Sequence, residues 1–339
     1  MCVKLLDCTL RDGGYIIDWM FGKKNIQSVL CNLSDAGIDY IECGFLKDCE
    51  QYDDKTFFSS PDLVQKNLNC TLMINYGEYP IEKFTQCENK NTKIRVAFKK
   101  SKQKEALEYI HKLVSLGWDV FANPMSTNTY SETELELLIN DINKIKPYGL
   151  TIVDTLGNMY QDDVREIFEF IDKRLEKGIA LGFHSHNSLQ LSFSNAKTLL
   201  KMNLEREIVL DCCLNGMGRG AGNLCTELIL PYLNENFGAD YKILPILKIL
   251  DECINPIYEK NPWGYSTAYC VAAVHGCHPN YATYLKARNV SDLEIGRILS
   301  KIPADKKTVF DKEVICTFSS LYLRGKEKKK YQKEEKARD

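Results

Sequence analysis

The feature that most constrains this chain is a repeat of eight short apolar runs that begins at Leu5 and ends at Cys212. After the first, they are DYIECGFL around Ile41, Cys70 to Asn75, Lys93 to Phe98, Asp119 to Ala122, Leu150 to Val153, Ala180 to Phe183, and Glu207 to Cys212. Most are followed by a stretch of helical periodicity. Ile26, Val29, Leu30 and Leu33 stand at the i, i+3, i+4, i+7 spacing of one buried helix face, closed by Gly37. Similar patterns cover Gln103 to Leu116, Glu132 to Ile145, Asp163 to Leu175, Leu189 to Leu200 and Leu224 to Leu233, with Ser131 as a helix cap and Pro147 with Gly149 as a stop. A short helix is expected at Asp62 to Leu68, opened by Pro61, and residues 76 to 90 form a weakly patterned connection. Strands alternating with helices at this spacing specify an α/β fold with a parallel sheet. Eight units in about 230 residues specify a closed (β/α)8 TIM barrel. An open doubly wound sheet would carry its glycine fingerprint after the first strand, whereas the glycine-rich run GMGRGAGN follows the last.

The expected domains are a barrel over 1–233, a smaller helical cap or interaction domain over 234–323, and a charged tail over 324–339. The tail has almost no apolar residue and reads as solvated, and Glu327, Glu334, Glu335 and Asp339 dilute its positive charge. With a formal net charge of -2, the chain offers no field that would draw nucleic acid. No apolar run is long enough to cross a bilayer. Its 14 cysteines do not fall at staple-like spacings, which fits reduced thiols packed as small apolar groups in a cytoplasmic protein. Cys270, His275, Cys277 and His278 form an alternative metal cluster, disfavoured because paired CxxC motifs are absent.

In a barrel the C-terminal strand ends converge on one mouth, so residues distant in sequence become neighbours. The first run delivers LLDCTLRDGGY, placing Arg11 and Asp12 where a strand gives way to the Gly13 Gly14 turn. The seventh ends in GFHSHN, and His184 and His186, two residues apart, project from one face of a strand. Either pair could be ordinary surface polarity. Together, two imidazoles and the Asp12 carboxylate suit a divalent ion such as Mn, Fe, Co or Zn, with positions left for water or substrate oxygens. Glu42 needs a partner if buried: Arg11, a lysine or the metal. Asn123, Asp154, Thr155 and Asn223 also lie at strand ends, while His278 and Tyr281 in the helical region are candidates to approach the mouth.

Taken in order, DCTLRDGG, IECG, VDTLG, GFHSHN and GMGRGAGN resemble the metal-dependent superfamily of barrels that includes HMG-CoA lyase, 4-hydroxy-2-oxovalerate aldolase, and the isopropylmalate and homocitrate synthases. The resemblance covers roughly residues 3 to 233. It implies Mn2+ or Mg2+, with Zn2+ or Co2+ as alternatives, held by Asp12, His184 and His186 and approached by Asn223. It also implies that Glu42 supports the site and that Arg11 stabilises enolate charge. The chain departs from each branch. Tyr15 stands where the aldolases carry a histidine, Gly14 and Tyr15 where the synthases carry glutamate and glutamine, and no cysteine occurs between Asn215 and Asn223 where HMG-CoA lyase has one.

These features point to a divalent-metal-dependent aldolase or lyase that makes or breaks a carbon–carbon bond of a pyruvate-type 2-oxo acid, with an aldehyde as the other partner. A Claisen-type synthase joining an acyl-CoA to a 2-oxo acid and a non-catalytic metabolite-binding barrel are the alternatives. Arg11 is expected to direct two parallel hydrogen bonds at the enolate oxygen. Tyr15 is the nearest proton carrier, although a phenol with pKa near about 10 needs a cation to serve as a base. Arg219 could select a second carboxylate or a phosphate. A homodimer would form through the C-terminal region.

Overall fold

A computed structural model describes residues 2–321; the tail expected over 324–339 lies outside the described residues. The barrel strands are β1 (Cys2–Asp7), β2 (Tyr40–Leu46), β3 (Cys70–Asn75), β4 (Thr92–Phe98), β5 (Asp119–Pro124), β6 (Gly149–Asp154), β7 (Ala180–Ser185) and β8 (Glu207–Cys212). Every pairing is parallel. β1 pairs with β8 from Cys2↔Glu207 to Asp7↔Cys212 and closes on β2 at Leu6↔Tyr40, so the sheet returns on itself as a barrel.

Alternation along the strands sets the two faces. Cys70, Leu72 and Ile74 join the large apolar layer between sheet and helices, while Leu6, Tyr40, Phe121, Ala180 and Val209 fill the barrel interior. Small residues make room for large ones: a Cβ on Gly149 would lie 2.6 Å from the Phe121 ring.

The outer helices are α1 (Lys23–Asp35), α2 (Gln103–Ser115), α3 (Glu132–Ile145), α4 (Gln161–Asp172), α5 (Ser192–Lys201) and α6 (Thr226–Phe237). No α-helix follows β2 or β3. The segment expected to be helical at Asp62 to Leu68 makes only the 3-10 turn Pro61–Leu63, because Val64 then becomes extended and turns into the core. An aromatic cluster covers this side instead. Tyr79 packs on Phe84 at 5.3 Å and Phe84 on Trp118 at 5.5 Å, with the Tyr109 hydroxyl donating to the Tyr79 carbonyl.

The chain falls into two compact units, the first running to Gly264 and the second starting at Tyr265. The first unit extends past the 233 boundary read from the sequence, because Ile246, Ile249, Ile254 and Trp263 pack into the barrel's outer core. The second unit is helical, with Thr267–Val274, Pro279–Lys286, Asp292–Leu299 and residues 312–321 around Ala272, Tyr281, Leu285 and Ile298. All 14 cysteines are free thiols. Among the described residues no helix is long and apolar enough to cross a membrane.

Ser131 and Glu134 form a reciprocal capping box at the start of α3. Ser131→Ala should lower the unfolding free energy by about 1 kcal/mol. Urea titration followed by far-UV circular dichroism would read the shift in midpoint.

Candidate metal centre

After β1 the chain makes a helical turn, Thr9–Asp12, which buries both Arg11 and Asp12 at the mouth. The glycines that follow are not there for flexibility. Gly13 has a helical φ of -61°, and the pair is required sterically: a Cβ on Gly13 would lie 2.8 Å from Met217 Sδ, and one on Gly14 would lie 2.0 Å from Trp19 Cδ1. Trp19 fills that space and donates from Nε1 to the Arg11 carbonyl at 2.7 Å.

His184 ends β7, and His186 follows on an extended stretch that bridges to Asn223. Each imidazole is tied through Nδ1, His184 to Asp211 Oδ2 at 2.8 Å and His186 to the Asp154 carbonyl at 3.0 Å. A carboxylate and a carbonyl can only accept, so Nδ1 donates in both rings and each Nε2 is left to face away from these partners. Both Nε2 atoms lie 3.8 Å from Asp12 Oδ2. That is too long for a hydrogen bond. Burial, then the neighbouring His184, draws the His186 imidazole down to about 4 against the opposing pull of Asp12, so the ring is neutral. Burial alone would raise Asp12, yet the surrounding positive charge, Arg11 first, holds its carboxyl well below the usual carboxylate range.

One carboxylate oxygen and two imidazole Nε2 atoms therefore face one another beyond hydrogen-bonding distance. The Asn223 amide adds to them. Its Nδ2 donates to Asp12 Oδ2 at 2.7 Å and lies 3.2 Å from the Met217 carbonyl, while its buried Oδ1 has no partner. Gly218 makes the approach possible, since a Cβ there would sit 2.2 Å from Asn223 Nδ2 and 3.2 Å from Asp12 Oδ2. The residues fit a divalent cation held by Asp12, His184 and His186, while Asn223 turns its Nδ2, not its oxygen, on Asp12. A second grouping, Cys8 with His184 and Asp211, would use the already committed Nδ1 and a thiol that burial pushes well above its usual range. It is a hydrogen-bonded support, not a binding site.

Beneath the trio lies a buried ionic network. Glu42 accepts from Arg11 Nε at 2.6 Å and from Arg95 Nη1 at 2.9 Å, and Arg95 Nη2 reaches Asp211. Arg11 Nη1 donates to Asp12 Oδ1 at 2.8 Å. Asn123, oriented so that both ends of its amide are satisfied, accepts from Arg95 at 3.0 Å and donates to the Phe121 carbonyl. Three carboxylates (Asp12, Glu42, Asp211) thus meet two guanidinium groups, and the excess negative charge suits a cation. Arg95 and Asp211 escaped the sequence reading, and the signal was a lone charge inside each of the apolar runs KIRVAF and EIVLDC.

The expected Arg11 fork is not free, because Nε and Nη1 already serve protein carboxylates, and among the described residues Nη2 has no acceptor. Asp154 turns into its own loop, accepting from the backbone of Asn158 and Met159, and burial pushes it up to about 6 against those bonds. Thr155 Oγ1 accepts from the Ser126 backbone at 2.8 Å. The Tyr15 ring wedges between Trp19, at 4.7 Å, and Arg219, whose guanidinium lies 3.9 Å over its face. Within the second unit, His278 caps a helix by accepting from the Asn280 backbone, and the buried Tyr281 hydroxyl lies 2.7 Å from the Lys306 carbonyl and accepts from the Asp311 backbone at 3.1 Å. That hydroxyl, considered above for the mouth, is engaged in its own unit's core.

Comparison with known proteins bears on this centre. The sequence profile of the HMGL-like family matches residues 77–243. A 4-hydroxy-2-oxovalerate aldolase from Bacillus cereus (strain ATCC 10987 / NRS 248) is 25% identical over 270 residues, covering 75% of this chain and 76% of the relative. An oxaloacetate decarboxylase from Mycobacterium tuberculosis (strain ATCC 25618 / H37Rv) is 22% identical over 269 residues, covering 77% and 78%. The crystal structure of the N-terminal domain of a candidate aldolase from Bacteroides vulgatus superposes with a TM-score of 0.72 at 25% identity, covering 87% of this chain and 99% of that domain.

Asp211→Asn should weaken metal affinity by about 10–100-fold, because a neutral amide oxygen holds the His184 ring and the Arg95 cation less strongly than the carboxylate oxygen both now share. Competition with a chelating dye would measure it, with unchanged circular dichroism showing that the barrel persists.

Proposed function

The chain belongs to the HMGL-like superfamily of aldolase and lyase barrels, and we propose on that basis that it is a divalent-metal-dependent enzyme acting on a carbon–carbon bond of a 2-oxo acid. One observation carries the reading: the Nε2 atoms of His184 and His186, each ring held through Nδ1, both turned on Asp12 Oδ2 at 3.8 Å. It supports metal loading, and with the likeness to 4-hydroxy-2-oxovalerate aldolases it supports aldol cleavage. The bound ion supplies Lewis acidity that polarises the 2-oxo group and lowers the energy of enolate charge.

The chain's own groups would do the rest. Cleavage of a 4-hydroxy-2-oxo acid passes the proton of the 4-hydroxyl to water, breaks the bond between carbons 3 and 4, and releases an aldehyde and an enolate that takes a proton back from water to become the 2-oxo acid. Arg11 would direct its uncommitted Nη2 at the oxygen where that charge gathers, its plane fixed by Glu42 and Asp12. Burial pushes the Tyr15 phenol up, more than Arg219 draws it down, so its hydroxyl remains protonated at neutral pH. Tyr15 would therefore act by donating a hydrogen bond or proton to the substrate oxygen, in the sense of the condensation reaction. The similarity to an oxaloacetate decarboxylase supports a second reading with the same enolate, in which carbon dioxide leaves in place of the aldehyde.

With Mn2+ present, the protein should release pyruvate from a 4-hydroxy-2-oxo acid in a coupled lactate dehydrogenase assay, and chelation should abolish the release. Parallel assays for aldehyde, carbon dioxide and free CoA thiol separate the aldolase from the decarboxylase and from a condensing synthase. His184→Ala should lose metal and at least about a hundredfold in turnover; unchanged turnover at limiting Mn2+ sinks the assignment.

A further inference from the structure

We propose that Arg219 is the specificity residue that binds the carboxylate of the 2-oxo acid, its guanidinium supported on the face of Tyr15. The inference rests on the reading of the mouth as a 2-oxo acid site.

It begins with which cations remain available. Arg11 serves Glu42 and Asp12, and Arg95 serves Glu42 and Asp211. Lys47 lies 3.4 Å from Glu78. Arg219 has no carboxylate within 4.0 Å among the described residues, although its charge is felt at Asp12, His186 and Tyr15. An anion arriving beside the trio meets this guanidinium with its donors uncommitted.

The surroundings hold it in place. Gly218 packs so close to Asn223 and Asp12 that the Arg219 backbone starts one residue from the metal centre. Gly220, at φ 65°, turns the chain away immediately afterwards. The guanidinium lies 3.9 Å over the Tyr15 ring, Tyr15 leans on Trp19, and Trp19 is tied to the Arg11 carbonyl. Asp18 and Trp19 both adopt left-handed conformations, φ 50° and 59°, to bring the indole into the space left by Gly14. A ring beneath one face leaves the planar fork free to donate from its edge, the geometry that suits a carboxylate.

Charge gives a second argument. The buried carboxylates exceed the guanidinium groups that pair with them by one, so a divalent ion leaves the centre at one positive charge and Arg219 makes it two. A 2-oxo acid enolate carries two negative charges, one on its carboxylate and one on the oxygen where charge develops. The centre with Arg219 is therefore neutral when the enolate is present and would be left one negative charge in excess without it. A neutral ligand or a simple alcohol would leave the guanidinium unpaired.

The test uses oxalate, a dianion of the same size and charge as the pyruvate enolate, titrated calorimetrically into the Mn2+-loaded full chain. Arg219→Gln should keep its full metal content and bind oxalate about 10–100-fold more weakly, and Arg219→Lys should recover part of the loss. Wild-type oxalate affinity in metal-replete Arg219→Gln overturns the proposal, as does a loaded wild type that fails to bind oxalate. The contrast is independent of turnover: if no 4-hydroxy-2-oxo acid yields pyruvate, the aldolase reading falls while the oxalate titration still decides the role of Arg219.

Discussion

A guanidinium in the middle of a barrel strand can be tolerated only if its charge is answered on several sides, and Arg95 is that group. It is 1% exposed and reaches Glu42 on β2 and Asp211 on β8, so three strands separated around the barrel are joined through one side chain. Burying such charges costs several kcal/mol apiece before their attraction is counted, so a network of this kind is weak evidence for stability. Its consequence is geometric. With Arg95 fixed, Glu42 has one oxygen left for Arg11, and the Asp211 oxygen that meets Arg95 also accepts from His184, so both the first and the seventh strand ends are aimed by the same cation.

The candidate metal centre inherits its order from this layer. Neither histidine is free to rotate, because each ring is held through Nδ1, and Asp12 is held by Arg11 on one oxygen and by Asn223 on the other. The three facing atoms are kept within coordination range by partners that sit outside the range themselves. Such supports are what give a catalytic site its preorganisation. The loop from Gly216 to Asn223 closes the arrangement. Gly222 needs its φ of 76° and its missing side chain because the Gly216 carbonyl would lie 2.2 Å from a Cβ there.

The sequence made the strands legible because their length and spacing recur, and it made Asp12, His184 and His186 legible because a strand places alternate residues on one face. Groups that act singly were not legible. Arg95 and Asp211 each interrupt an apolar run once, and nothing local distinguishes an inward charge with partners from an edge charge facing water. Gly13 and Gly14 read as a flexible turn, whereas their requirement comes from Met217 and Trp19, contacts invisible to local pattern. Arg11 could be identified but its allocation could not, since the fork is divided among residues on two elements. The helix expected at 62–68 failed for a tertiary reason, the descent of Val64 into the core.

That failure has a structural sequel at the mouth. Freed from a helix, the connection after β2 doubles back over the turn that carries Arg11: the Thr56 hydroxyl donates to the Leu10 carbonyl at 2.7 Å, and its backbone amide lies 3.2 Å from the Trp19 carbonyl. Phe45 in turn donates its amide to the Thr56 carbonyl at 3.0 Å, and a Cβ on Gly44 would lie 2.0 Å from that same oxygen. The fold-back sets Phe57 against Trp19 at 4.9 Å and completes an apolar wall with Tyr15 and Phe45. The mouth is consequently divided, with ionic and metal-binding groups from β1, β7 and the loop after β8 on one side and aromatic rings on the other. A regular helix after β2 would have carried the chain to the outer layer, and the wall exists because this connection stays irregular.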